Sequence, residues 1–450
     1  MTPWTSVELA EVCTLITDGT HHSPTNLAVG DYKYVTAKNI RPWGLDISNI
    51  TYVDSATHQG IYARCPVEYG DVLYIKDGVT TGIAALNTLE EPFSMLSSVA
   101  LLKPERNVLE PRYLKHWLNS PVAYNSMTGE MTGTAIKRLV LKQIRATSIP
   151  LAPLPEQKRI ADKLDSVLAR VDACRDRLDR LPALLKRFRQ SILAAATSGR
   201  LTEDRREANL PKRTWNATKL ENLCTTVFDG PFGSNLKSDD YTSSGVRVVR
   251  LENIGHLYFE ASKETYISDE KYQGLVKHSL QPDDILFSSF VDEEVRVCRY
   301  PAKLPTAAIN KADCFCLRPD TSKCSPTYLS YRLASRATYV ELKELVHGAT
   351  RPRINLKQLR QYLVEVPELE EQTEIVRRVE ILFAFADRLE ARLATARRQV
   401  GQLTPALLAK AFRGELVAQD PADEPAAELL KRLAAQREVA PKVKRGRARG

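Results

Sequence analysis

The chain has 450 residues, of which 43% are hydrophobic and 26% are charged, so it has a globular composition and room for two to four domains. It contains no apolar run of about 18 residues, and its first residues, MTPWTSVELAEV, lack the basic and apolar regions of a signal peptide. The net charge of +9 favours a polyanionic partner because Lys and Arg that neutralise phosphates release condensed counterions, although part of this charge lies in the tail PKVKRGRARG.

The first predicted element is a mixed domain over residues 1–153. Short β-branched runs such as YKYVT, GDVLYI and SSVALL alternate with turn signals such as DGT, KDG and TGT, which is typical of strands joined by tight turns. One helix is predicted to begin at Pro111 and to present Tyr113, Leu114, Trp117 and Leu118 on one face. The domain ends in the proline-rich segment SIPLAPLPEQ.

A long helix is predicted next, over residues 154–202. Its apolar residues step by four and three, which is a heptad a/d seam and predicts a left-handed coiled coil. Pro182 should kink this helix because an interior proline loses a hydrogen bond and clashes with the preceding turn. The seam consists of Ile160, Leu164, Val167, Val171, Cys174, Leu178, Leu181, Leu185, Phe188 and Ile192.

From residue 203 the pattern repeats, which indicates an internal duplication. With a shift of 215 residues, Glu156-Gln157 falls on Glu371-Gln372 and Gly199 on Gly414. Near the start the shift is 211 residues, so that Trp4 matches Trp215 and Asp18-Gly19 matches Asp229-Gly230. We therefore expect a second domain over residues 203–368, with its own helix beginning at Pro326, and a second long helix over residues 369–417.

The second seam is shifted by 215 residues from the first and runs from Ile375 to Leu407. Duplicated halves related by a two-fold axis bring equivalent seams together, so the predicted fold class is α+β. It has two mixed α/β domains separated by two long helices in an intramolecular, antiparallel coiled coil. The alternative is a pair of separate amphipathic core helices. Residues 418–450 are expected to form a short helix and a basic tail.

The chain resembles the specificity subunits of type I restriction–modification systems. The resemblance rests on IPLAPLPEQKRIADKLD, on the helix ends SILAAATSGRLT and ALLAKAFRGELV, and on DGTHHSP, IKDGVTTG and GPFGS within the domains. The two copies differ where IKDG in the first corresponds to FSSF in the second, as expected if each domain reads a different base sequence.

The resemblance implies two target-recognition domains that read a bipartite target on double-stranded DNA. It also implies two modification (methyltransferase) subunits that methylate adenine, and restriction (motor and nuclease) subunits. S-adenosylmethionine, ATP and Mg are then expected on the partner subunits, and no cofactor on this chain. From Ile160 to Ile192 the helix would span roughly 48 Å, more than one turn of DNA, so the coil suits a spacer between the two blocks.

The candidate DNA-contacting residues are polar or basic and lie in or beside predicted turns. Arg suits guanine and Asn suits adenine in the major groove, whereas other contacts hold phosphates; an ordinary solvated surface role is the alternative for each residue. In the first domain the candidates are Thr20, His21, His22, Lys76, Asp77, Thr80, Thr81, Lys137, Arg138 and Lys142. In the second domain they are Ser234, Asn235, Lys237, Arg351, Arg353, Asn355 and Lys357.

No catalytic signature is found in the sequence, which lacks a P-loop, a G-x-G-x-x-G motif and an Asn/Asp-Pro-Pro-aromatic methyltransferase motif. Pro282-Asp283-Asp284 is interpreted as a turn that leads into a strand. Cys314-Phe315-Cys316 is interpreted as part of a strand, since zinc sites need wider spacing. The eight cysteines show no regular framework, so we expect reduced thiols in a cytoplasmic protein. Two other functions stay open: a coiled-coil scaffold with two protein-binding modules, and a nuclease with an unrecognised metal site.

Overall fold

The computed structural model describes residues 4–128, 138–208, 215–304, 307–346 and 352–439 of the chain. The contacts between residues divide the chain into two compact units. The first unit combines residues 1–178 with residues 396–450, and the second consists of residues 179–395. Each unit therefore contains one recognition domain and one part of each long helix.

The first unit is built on a four-stranded antiparallel sheet of Cys13–Asp18 (β1), Val72–Ile75 (β2), Ala84–Leu86 (β3) and Val99–Pro104 (β4). The strands lie in the order β1-β4-β2-β3. Every residue of β2 is buried, because alternate side chains of this inner strand belong to two hydrophobic clusters on opposite faces. The apolar run GDVLYI thus reflects a strand that is covered on both faces.

The predicted helix at Pro111 is confirmed as Pro111–Leu118, and its four expected apolar residues are buried. The other elements of the first unit are short. Its paired strands are Thr5–Glu8 with Ser148–Leu151, Tyr32–Val35 with Thr51–Val53 and Ser94–Met95, and Ile40–Arg41 with Gly44–Leu45. Its remaining helices are Leu9–Val12, Ala37–Asn39, Ser55–Tyr62, Pro121–Thr128, Leu141–Ala146 and the predicted C-terminal helix Ala426–Val439.

The second unit repeats this sheet with Cys224–Phe228 (β5), Ile285–Val291 (β6), Val295–Arg299 (β7) and Cys314–Pro319 (β8). The order β5-β8-β6-β7 is the order of the first sheet. Its further strands are Asn216–Lys219 with Leu363–Val366, and Tyr241–Thr242, Tyr266–Ile267, Val246–Val249 and Ala308–Asn310 in one sheet. Its shorter helices are Arg200–Thr202, Glu203–Ala208, Leu220–Leu223, Gly233–Asn235, Ser238–Asp240, Leu251–Asn253, Asp269–Gln273, Val276–His278, Pro326–Ala334, Arg336–Lys343 and Leu356–Gln361.

Two interpretations from the sequence are confirmed in this sheet. Asp283 and Asp284 lie in the turn before β6, where the buried Asp284 carboxylate is 2.7 Å from the Arg318 guanidinium. Cys314 and Cys316 point into one hydrophobic cluster and Phe315 into another, as alternation on a strand requires.

A buried glutamine supports each unit in the same way. Gln157 accepts a hydrogen bond from the backbone N–H of Glu110 and donates to the carbonyl oxygens of Val108 and Ala152, at 2.8–2.9 Å. Gln372 accepts from the backbone N–H of Ser325 at 2.8 Å and donates to the carbonyl oxygens of Lys323 and Pro367. The duplication therefore extends to individual hydrogen bonds.

The long helices are Leu154–Thr197 and Leu369–Ala411, and they pair in opposite directions within each unit. In the first unit Ile160, near the start of the first helix, shares a core with Leu408, near the end of the second. In the second unit Ile192, near the end of the first helix, shares a core with Ile375, near the start of the second. The predicted antiparallel pairing is thus confirmed in each unit.

The heptad seam is not buried throughout. Cys174, Leu181 and Leu403 are exposed, which departs from the predicted seam. Towards the helix ends, by contrast, the domain cores also cover the seam, as at Ile160 and Ile192. The first helix continues through Pro182, whose expected kink stays a prediction, and each long helix is followed by a glycine with positive φ, Gly199 and Gly414.

The recognition domain contacts the long helix differently in the two units. In the first, Asp165 on the long helix lies 2.7 Å from His116 Nε2 and 3.3 Å from Lys115 Nζ. In the second, the residue equivalent to His116 is Tyr331, whose ring packs edge-on against Phe383. Burial disfavours the charge on Asp165, but its hydrogen bond with His116 and the nearby Lys115 outweigh this effect and lower its pKa.

Within the described residues, none of the helices has both the length and the hydropathy of a membrane span.

Candidate nucleic-acid interface

In each recognition domain, loops converge at one end of the four-stranded sheet, which we call the loop end. In the first domain the loop end is marked by Asp18, Ile75 and Val99, where β1 and β2 end and β4 begins. In the second domain Phe228, Ser288 and Cys314 mark the equivalent place. Most of the candidate residues follow these strand ends.

A glycine allows close packing at each loop end. A Cβ on Gly19 would lie 2.0 Å from the carbonyl oxygen of Met95, and a Cβ on Gly230 would lie 2.2 Å from the carbonyl carbon of Lys311. Both distances are too short for any side chain. The repeated Asp-Gly pair therefore marks a place where two backbone segments cross.

Two cations, Arg64 and Lys76, and the imidazole of His21 surround the buried Asp18 carboxylate at the first loop end. The carboxylate oxygens lie 3.0 Å from the Arg64 guanidinium, 3.3 Å from Lys76 Nζ and 3.4 Å from His21 Nε2. The cluster joins three separate segments of the chain. Arg64 and Lys76 neutralise the buried negative charge of Asp18 and leave the cluster with an excess of positive charge.

Burial corrects two of the predicted contacts. The Lys76 side chain is only 4% exposed and is paired with Asp18. Thr81 is also buried, and its hydroxyl donates to the carbonyl oxygen of Gly78 at 2.7 Å. Both residues support the loop from inside, since neither presents its polar group at the surface.

The other candidates of the first domain that the structure describes are accessible. His21, His22 and Thr80 are exposed, and the Thr20 hydroxyl closes the turn by accepting from the backbone N–H of His22 at 3.2 Å. Arg138 pairs with Asp77 across an isolated β-bridge at the same loop end. Lys142 is exposed on the helix Leu141–Ala146, and Lys137 lies outside the described residues.

The second domain distributes its candidates over two grooves. Ser234 and Asn235 line one groove together with Lys271, Lys277 and His278. Lys237 is exposed beside it, and its backbone N–H donates to the Asp240 carboxylate at 2.6 Å.

Arg353 and Asn355 line the other groove, together with Asp229, Phe232 and Asp313. Asn355 also begins the helix Leu356–Gln361, since its side-chain oxygen accepts from the backbone N–H of Gln358 at 2.9 Å. Lys357 is exposed on that helix, and Arg351 lies outside the described residues.

Several residues at the loop ends were missed from the sequence, namely Asp18, Arg64, Asp229 and Phe232. The signal for two of them was present, because Asp18 and Asp229 are matched by the duplication. Burial raises the pKa of Asp229 to about 6. The strand pairing and the backbone hydrogen bonds make Lys76 equivalent to Ser289, one residue beyond the match of IKDG with FSSF that the sequence indicated. The equivalent aspartates therefore differ in their surroundings: Asp18 is paired with Arg64 and Lys76, whereas Asp229 lines an open groove.

Metal binding has no geometric support in the described ranges, where no three His, Cys, Asp or Glu side chains are grouped as a metal site would need.

Comparison with known proteins identifies the family. A family model described as the type I restriction modification DNA specificity domain matches residues 1–183 and 271–396. The type I restriction enzyme EcoBI specificity subunit of Escherichia coli is 31% identical over 77% of this chain and 76% of its own length. The StySPI specificity subunit of Salmonella potsdam is 30% identical over 97% of this chain and 96% of its own.

Solved structures share the fold. A chain from a study of assembly and conformational transition of the type I R-M system has a TM-score of 0.69 at 22% identity, covering 92% of this chain and 99% of that one. The HsdS subunit from Thermoanaerobacter tengcongensis has a TM-score of 0.57 at 22% identity, covering 92% of this chain and 98% of that one. The resemblance noted in the sequence is thus confirmed, and the chain belongs to the specificity subunits of type I restriction–modification enzymes.

Proposed function

We propose that this chain reads a bipartite target on double-stranded DNA, one block with the loop end of each recognition domain. The observation that carries the proposal is a contrast within the duplication. The buried hydrogen bonds that support each recognition domain are the same in both copies, as those of Gln157 and Gln372 illustrate, whereas the residues at the loop ends differ. A constant support with variable loops suits a protein that reads two different short sequences.

The exposed side chains have the chemistry for this role. Arg138 and Arg353 each expose more than half of their side chains, and a guanidinium can bind the two acceptors of guanine in the major groove. His21, His22, Lys142 and Lys357 add polar or basic groups that suit bases or phosphates. The net charge of +9 is consistent with phosphate binding.

The chemistry itself is assigned to partner subunits. We expect two modification subunits to bring S-adenosylmethionine and methylate adenine, and restriction subunits to bring ATP and Mg. This chain then supplies recognition and carries no catalytic residue. The scaffold and nuclease alternatives gain no support from the comparisons, whose family model and relatives are specificity proteins.

The test is selection from a library of random duplexes by the full chain together with its modification subunits. We expect enrichment of two short defined blocks around unspecified bases, and methyl transfer only when the modification subunits are present. Raising the salt should weaken binding steeply, since phosphate contacts release counterions. Enrichment of no sequence, or methyl transfer by this chain alone, would refute the proposal.

A further inference from the structure

Arg138 and Arg353 occupy the same place in the two loop ends. The backbone N–H that follows each arginine donates to the end of a central strand: Leu139 to the carbonyl of Lys76 at 2.8 Å, and Ile354 to the carbonyl of Ser289 at 3.0 Å. Each arginine also forms an isolated antiparallel bridge. Arg138 pairs with Asp77, and Arg353 pairs with Phe290. The backbone thus holds both arginines in equivalent positions.

The two arginine side chains are equally accessible. Arg138 is 57% exposed and Arg353 is 58% exposed, and both lie at a loop end rather than in a core. An arginine on a fixed backbone at the surface can reach a ligand with little rearrangement. The side chain opposite each arginine, however, has changed from an acid to an aromatic ring.

Asp77 contacts one edge of the Arg138 guanidinium. The Asp77 carboxylate lies 3.4 Å from Nε of Arg138, the nitrogen that points away from the tip of the guanidinium. A contact at Nε does not use the two terminal nitrogens of the guanidinium. This arrangement favours a single orientation that matches the O6 and N7 acceptors of one guanine.

Phe290 supports Arg353 in another way. The guanidinium carbon of Arg353 lies 6.0 Å from the centre of the Phe290 ring, and Nη1 lies 3.7 Å from the Asp313 carboxylate. A ring offers a flat surface without a hydrogen-bond acceptor, so it restrains Arg353 without engaging its donors. Asp313 attracts one terminal nitrogen of Arg353, whereas Asp77 contacts Nε of Arg138, so the two guanidinium groups are held at different nitrogens.

We infer that Arg138 and Arg353 read bases, with guanine as the expected partner, and that the residue across each bridge, Asp77 or Phe290, positions the guanidinium and thereby selects what it reads. The inference rests on the proposed DNA recognition and deepens it. Asp77 and Phe290 are positioning residues, since they act through the arginines. It explains why the duplication keeps the arginine and changes the residue opposite it.

The test compares the base preferences of variants of the full chain, again selected from random duplexes with the modification subunits. Arg138→Ala should reduce the preference at one position of one block by about 10- to 100-fold and leave the other block unchanged. Asp77→Asn, which keeps the size and removes the charge, should reduce or change the preference at that same position. Arg353→Ala and Phe290→Leu should do likewise at one position of the other block.

Matched controls lie at the opposite end of each sheet. Arg106 follows the far end of β4 and Arg299 ends β7, and both are exposed arginines of the same domains. Arg106→Ala and Arg299→Ala should leave both blocks unchanged. The unaltered block of each test variant shows that the protein is folded.

The outcomes separate the two proposals. If the wild-type protein selects no sequence, DNA recognition itself is wrong. If the wild type selects two blocks and the arginine variants keep every base preference, or bind all duplexes more weakly to the same degree, the arginines hold phosphates only and the inference is refuted. If the arginines matter and Asp77→Asn and Phe290→Leu change nothing, the positioning role is refuted.

Discussion

Replacing Gln157 with leucine should weaken the first unit selectively. The side chain is fully buried and forms three hydrogen bonds to backbone groups, one of which belongs to Glu110 at the start of the helix Pro111–Leu118. Leucine has a similar size and cannot satisfy these groups. At about 1 kcal/mol for each lost hydrogen bond, Gln157→Leu should lower the free energy of unfolding of this unit by about 3 kcal/mol.

Hydrogen exchange resolved by peptide is the suitable assay, because it reports on each unit separately. A loss of about 3 kcal/mol corresponds to amide exchange faster by on the order of 100-fold wherever exchange requires the unit to open. The amide of Glu110 should respond in Gln157→Leu. The mirror variant Gln372→Leu should affect Ser325, whose amide bonds Gln372 in the second unit.

Each variant serves as the control of the other, since the two glutamines make equivalent contacts in different units. Protection lost in the second unit of Gln157→Leu would contradict the assignment of this contact to the first unit. Exchange that changes less than tenfold in both variants would show that the buried hydrogen bonds contribute little.

Further substitutions test how the buried contacts near the first loop end and along the first long helix contribute to stability. Lys76→Met should destabilise the first unit by about 2 kcal/mol, since it removes a cation from the buried Asp18, whereas Lys142→Met at an exposed site should change stability by less than about 0.5 kcal/mol in thermal unfolding. The pKa of Asp165 is lowered in the folded state, so its ionised carboxylate stabilises the fold above about pH 4. This contribution to the free energy of unfolding is lost as the pH falls. In acid unfolding the stability difference between the wild type and Asp165→Asn should therefore shrink below that pH. Gly19→Ala should lower the free energy of unfolding by about 3 kcal/mol because its Cβ would clash with the Met95 carbonyl. Gly60→Ala, in open space within the helix Ser55–Tyr62, should raise it by about 0.5–1 kcal/mol. The opposite order of unfolding midpoints would refute the packing argument.

Local patterns predicted the elements that depend on neighbouring residues. Proline at a helix start, alternation at Cys314–Cys316 and the heptad steps near Ile160 and Ile192 each reflect a nearby physical constraint, and the structure agrees at these places. The duplication predicted more, because matched residues in two copies reveal shared contacts that a single copy hides.

Contacts between distant parts of the chain were not predictable in this way. Lys76 follows an apolar strand and precedes a turn, which is typical of an exposed lysine. Its burial depends on Asp18, which is far away in the sequence and carries no sign of its partner. Arg64 joins the same cluster from yet another segment. The exposure of Leu181 and Leu403 likewise depends on how far the domain cores extend along the helices.

The division of the chain into units has a consequence for synthesis on the ribosome. The second unit is one continuous stretch, residues 179–395, and all of its contacts are available once that stretch has emerged. The first unit begins earlier but includes residues 396–450, and its core contains Phe412, Ala426 and Leu433. At roughly 5–20 residues per second, the 255 residues from Leu178 to Leu433 take roughly 13–50 s to make. The domain that is translated first therefore completes its core last, and until then its apolar surface stays open to water and to chaperones.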